Sequence, residues 1–195
     1  MWYKILTFEL NYRKNRPATY IYFGLYFLMA FLAVSFQSNR IAGIPEQVKE
    51  NAPIIITILT MQLSLIFALI TSAVMGVPVL RDFEHGADSL IFVNPIKKNH
   101  YILGRFAGSF IVLILISTGV PLGLMLGEFM PWRDAGNLLP FNFQSYFQPY
   151  LILFIPNMFV MGVLFFATGT VSRKIMVVYL QGIFFLVLFM ISKSF

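Results

Sequence analysis

The 195-residue chain is 58% hydrophobic and 11% charged, with a formal net charge of +6 and no cysteine. A soluble domain is nearer half apolar and a quarter charged, so its apolar surface exceeds what one water-enclosed core accepts, and lipid is the expected solvent. The lack of cysteine excludes disulfides and thiolate metal sites and leaves the compartment open.

The N-terminus does not read as a cleavable signal, because Lys4, Glu9, Arg13, Lys14 and Arg16 interrupt any apolar core. Trp2, Ile5, Leu6 and Leu10 instead fall near one face at helical spacing, with Lys4, Arg13 and Lys14 toward the polar side or the end. Pro17 breaks the run. The pattern is that of an amphipathic helix in the cytoplasmic interface, a flexible apolar leader being the plain alternative. The chain divides accordingly into an interfacial helix over 1–18 and a transmembrane domain over 19–195.

Five apolar runs approach the ~20 residues a helix needs to cross the hydrocarbon. They lie at about 20–36, 54–80, 106–127, 150–171 and 175–192. The first and last are short, and the second is long enough to tilt or to protrude. The expected fold class is therefore an all-α, polytopic membrane helix bundle of about five spans plus the interfacial helix. An odd count ending in a helix reads equally as a five-span protein or as part of a longer polypeptide, an incomplete six-span half.

Parity puts the N-terminus, the loop after the second span and the turn after the fourth on one side. Ten basic residues fall there against four acidic ones, while the other side balances four against four. That bias predicts a cytoplasmic N-terminus.

Thr57, Thr60, Ser64, Ala68 and Thr71 form a small-polar stripe on the second span, and Gly104, Gly108, Gly119, Gly123 and Gly127 mark the third, where Pro121 is placed to bend it. Small residues let helix backbones approach closely in lipid. Both sets are expected at helix-packing seams, Ser64 and Thr71 among them; lining of a pathway is the sharper alternative.

The predicted spans hold no ionisable side chain, unlike ion-coupled carriers, in which such groups persist despite a cost of ~2.5 kcal/mol or more each. No phosphate-binding GxxxxGK[ST] loop, HExxH or GxSxG occurs. Two histidines, His85 and His100, with no cysteine make a poor zinc site. No catalytic, cofactor or metal residue is assigned, and energy for any movement of cargo is expected from another subunit. Phe129, Trp132, Phe141, Phe143, Tyr146 and Phe147 crowd the loop after the third span, as an interfacial aromatic belt would or, more sharply, as a lid over an outer vestibule.

The most charged stretch lies between the second and third spans: Arg81, Asp82, Phe83, Glu84, His85 and Gly86. Arg81 and Glu84 are spaced to pair on a short helical turn that Gly86 would end. An apolar run follows, then Pro95–Ile96 and Tyr101-x-x-Gly104–Arg105 entering the next helix. This order resembles the membrane subunits of type-2 ABC transporters, and Phe8 to Arg13 followed by Arg16 to Tyr20 resembles that family's interfacial helix leading into its first span. The chain looks closest to the bacterial branch in which the permease is fused to a second permease half and an M1 aminopeptidase-like region.

The resemblance implies six spans per half, pairing with a second permease half or as a homodimer, and a cytoplasmic ABC ATPase that carries the ATP and Mg. Arg81, Asp82, Phe83, Glu84, His85 and Gly86 would form the coupling element that docks on that ATPase, with Phe83 as apolar anchor and the charges setting orientation. It further implies a bacterial cytoplasmic (inner) membrane location, substrate export, no nucleic acid and no enzymatic activity in this chain. Five spans and no peptidase metal motif depart from that pattern. A non-transporting membrane scaffold or anchoring subunit accounts for the charged stretch and the glycines equally well.

Overall fold

A computed structural model describes residues 2–36, 48–84 and 97–192. Among these the chain is helical, with no strand. Helix α1 spans Trp2–Lys14 and α2 spans Pro17–Ser35. Proline at the start of α2 is favourable because its missing N–H would have had no intrahelical partner. Pro53 plays the same part in α3, Pro53–Ile66.

The run expected as one long second span is two helices. After α3 the backbone passes through Phe67 at φ −76°, ψ 1°, and α4, Ala68–Glu84, leaves at a 45° bend. Helix α5, Lys98–Ser117, passes at Thr118 into α6, Gly119–Glu128. The interruption sits just before Pro121, which has no N–H to offer the Ser117 carbonyl. A short helix α7, Gln144–Pro149, leads through a wide-turn stretch, Tyr150–Phe154, into α8, Ile155–Ser172. Arg173 turns the chain with φ 51° before α9, Ile175–Ser192.

Three continuous helical stretches are long and apolar enough to cross a membrane, Pro17–Ser35, Lys98–Glu128 and Gln144–Ser172, and the bent pair α3–α4 makes a fourth if counted as one span. The apolar stretch of α9, Ile175–Ile191, is shorter. The third and fourth spans thus extend beyond the apolar runs that announced them.

Helix α1 packs along α5 and α2 along α6, while α4 lies against both α8 and α9. Tyr26 stacks on Phe67 with ring centroids 3.8 Å apart, at the bend between α3 and α4, and Phe154 meets Tyr26 edge-on. This aromatic group joins the core shared by α2, α3 and the stretch before α8. The outward faces of α2, α8 and α9 carry exposed Leu, Ile, Phe and Met, as a lipid-facing surface would.

Candidate functional site

Glu9 has no solvent-exposed side-chain surface and holds three guanidinium groups. Arg13 Nε donates to Oε1 at 2.8 Å from one turn along α1. Arg81 Nη2 reaches Oε2 at 3.1 Å from the end of α4, and Arg105 Nη1 reaches the same oxygen at 2.5 Å from α5. One carboxylate therefore joins α1 to the last turns of α4 and the first turns of α5.

Local sequence builds this junction. A Cβ on Gly108 would stand 2.9 Å from Glu9 Cβ, and one on Gly104 would stand 2.9 Å from the Trp2 carbonyl oxygen, so the two glycines let α1 lie directly on α5. Pro78 leaves the Val74 carbonyl of α4 without its intrahelical donor, and Arg13 Nη2 donates to that oxygen at 2.6 Å. The Arg81 guanidinium also lies 3.9 Å above the Tyr12 ring, an attraction between cation and aromatic face.

Burial pushes the Glu9 carboxyl up, but Arg13, then Arg81 and Arg105, outweigh it and hold Glu9 below the usual carboxylate range. A buried charge is tolerated only when it is paired and hydrogen-bonded. Among the described residues the cluster has no nucleophile–base pair, and no three His, Cys, Asp or Glu residues converge to hold a metal. What it does chemically is bind three helices electrostatically.

The candidate coupling residues start inside this junction. Arg81 belongs to α4 and turns toward Glu9, while Asp82, Phe83 and Glu84 complete the helix, so the stretch opens as a helical end. The side chains of Asp82, Phe83 and Glu84, and all of His85 and Gly86, lie outside the described residues, as do the expected Arg81–Glu84 pair and the end of the turn at Gly86.

The packing residues fall at seams. A methyl at Gly119 would stand 2.9 Å from the Phe23 carbonyl oxygen, and one at Gly127 would stand 2.8 Å from that of Phe31; Gly123, between them, faces Phe27 and Ala30. Together they seat α2 on α6. Ser64 accepts from Asn157 Nδ2 of α8 at 2.8 Å, and Thr71 is buried beside Tyr26. The seam among α4, α8 and α9 went unsingled in the sequence, although Gly76, Gly169 and Gly182 build it: a Cβ on Gly76 would meet Val178, and one on Gly182 would stand 3.1 Å from Ser72 Oγ.

The reading of uncharged spans needs two amendments. Arg105 lies inside α5, and Glu128 ends α6; both are buried. Glu128 accepts from Asn51 Nδ2 at 2.5 Å, and Asn51 exchanges two more bonds with the Leu139 backbone. Nearby Arg133 pairs with Glu50 at 2.6 Å, and Trp132 Nε1 donates to the Ser35 carbonyl at 3.0 Å. These bonds strap the aromatic loop over the ends of α2, α3 and α6. Trp132 and Phe143 stay exposed, as a belt would have it, whereas Tyr146 is buried in the core. No protein-family model, curated protein or solved structure matches the chain.

Proposed function

We propose that this chain is the membrane-spanning permease subunit of a type-2 ATP-binding-cassette transporter, exporting substrate across a bacterial cytoplasmic membrane on energy from ATP hydrolysis in a partner subunit. The supporting observation is the Glu9 junction. A cytoplasmic motor must push on something stiff, and the stretch that begins at Arg81 is the end of a helix clamped to α1 and α5 through one buried carboxylate.

Displacement of that end moves α4, which carries the load to α8 and α9 against which it packs. The bend at Phe67 separates this inner half of the second span from the outer half, so the inner helix has a place to pivot. In this reading α9 is the fifth span, the N-terminus is cytoplasmic, and a second permease half or second copy covers its exposed apolar face. Phe83 is the apolar anchor on the ATPase, and the charges of Asp82 and Glu84 set its orientation, with Arg81 held inward by Glu9 to fix the helix end.

Coexpression with a candidate ABC ATPase partner tests the proposal. The two copurify, and Phe83→Ala with Glu84→Ala removes copurification and ATP-dependent transport while membrane insertion is unchanged. Copurification and transport that survive the double replacement would refute the docking role. A complex that assembles and moves no substrate would identify a scaffold instead.

A further inference from the structure

The glycines of α5 and α6 come in two sets, Gly104 with Gly108 and Gly119 with Gly123 and Gly127; α1 touches down on the first and α2 on the second, the two helices following one another in the same sense as α5 and α6. Between the sets stand the branched side chains of Ile111, Val112, Leu115 and Ile116, opposite the passage from α1 to α2. A cavity of ≈ 510 Å³ opens in that gap, floored by these residues and walled by Leu10 and Phe23. Its volume lies within the ~300–1,000 Å³ of ligand pockets, and its lining is mostly apolar with a few polar groups at one end, as such pockets are.

That polar end is Asn11 and Lys14, at the last turn of α1. Lys14 is exposed and forms no ion pair among the described residues, and no acidic residue is among those that line the cavity. Tyr20, Ile111 and Leu115 lie exposed along the mouth, so the gap communicates with the surroundings of the helices. The cavity is thus an apolar slot at the level of the first turns of α2, with the Lys14 ammonium at the end where α1 stops.

We propose that this slot holds one anionic phospholipid of the cytoplasmic leaflet, an acyl chain lying between α2 and α5 and the headgroup phosphate at Lys14. A chain in the slot fills the gap beside the branched side chains, and the headgroup meets charge of opposite sign at the depth where interfacial lysines attract anionic lipid. The bound lipid acts as a spacer that stiffens the passage from α1 to α2 against α5.

The test uses the full chain, stripped of lipid in detergent and titrated with phosphatidylglycerol or with phosphatidylcholine of the same acyl chains, with adducts counted by native mass spectrometry. Phosphatidylglycerol binds more tightly than phosphatidylcholine, Lys14→Gln weakens it about fivefold, and Lys14→Arg retains it. Leu115→Trp, which fills the mouth, removes both lipids; Ile111→Phe gives the same readout by a smaller intrusion should the first variant not fold. Equal binding of the two lipids, or phosphatidylglycerol affinity unchanged by Lys14→Gln or by the filling variants, overturns the proposal. Displacement of the lipid by inorganic phosphate would assign the site to a free anion and overturn it equally.

Discussion

Glu9 and Arg105 stand 96 residues apart in the sequence and 2.5 Å apart in the fold. Arg13 and Arg81 share the same carboxylate, so the junction holds one buried negative charge against three positive ones. Removing the carboxylate leaves guanidinium groups crowded together in a desolvated place, whereas removing one arginine leaves Glu9 with two others. Glu9→Gln is therefore expected to destabilise by about 3–5 kcal/mol, and Arg105→Gln by less. The double variant falls short of the sum, because the two residues share one interaction. Denaturation in detergent micelles measures all three; additive losses would show that Glu9 and Arg105 act independently.

Acid should weaken the same junction. The arginines hold the Glu9 carboxyl below its ordinary value against the opposing effect of burial. Stability from a group depressed in this way is fully present above the unfolded value near ~4.3 and is lost as pH falls through the lower folded value. The stability difference between the native chain and Glu9→Gln is thus flat from neutrality to about pH 5 and narrows below about pH 4. Thermal unfolding of both chains across that range reads it directly. A difference that persists unchanged in strong acid would mean Glu9 stabilises through shape alone.

Seam glycines invite a sharper contrast. An added methyl at Gly123 would run into the Phe27 carbonyl oxygen and lie 3.0 Å from Ala30 Cβ, while at Gly24 nothing stands within 4 Å. Gly123→Ala must push α2 off α6 and is expected to cost about 1–3 kcal/mol. Gly24→Ala meets open space in a helix interior and stabilises by up to about 1 kcal/mol. Unfolding of the two variants under one set of conditions separates seam from surface, and equal effects would remove the packing role of Gly123.

The helical, membrane-type composition and the glycine seams were legible because they rest on hydropathy and on residue size, both local properties. The 45° break at Phe67 was not, since Ile54 to Leu80 is one uncharged, predominantly apolar run and such a run does not distinguish one straight helix from two. The Glu9 junction was missed for another reason. Glu9 and Arg13 at i, i+4 read as an ordinary helix-surface pair, and their partners Arg81 and Arg105 lie on other helices, far along the chain. A usable signal was present in Pro78: a proline in an apolar helix frees the carbonyl four residues earlier, and a nearby arginine is the natural donor, as Arg13 is for Val74. The seam around Gly76, Gly169 and Gly182 was hidden because its glycines are spread over three helices, with only Gly162 and Gly169 sharing one, seven residues apart.

Sidedness decides whether a cytosolic motor can reach Arg81 at all, and the absence of cysteine makes it directly measurable. Asn99 lies exposed in the first turn of α5, beside the charged stretch, and Ala135 lies exposed in the aromatic loop at the far end of the bundle. Ten of fourteen basic residues on the N-terminal side predict that this side faces the cytoplasm. Ala135→Cys is then labelled in intact cells by a membrane-impermeant maleimide, and Asn99→Cys only after the membrane is opened. Both positions are exposed and neither side chain bonds to a described residue, so the single substitutions leave the fold unchanged. The reverse pattern would put the Glu9 junction and the end of α4 outside the cell, where no ATPase could press on them.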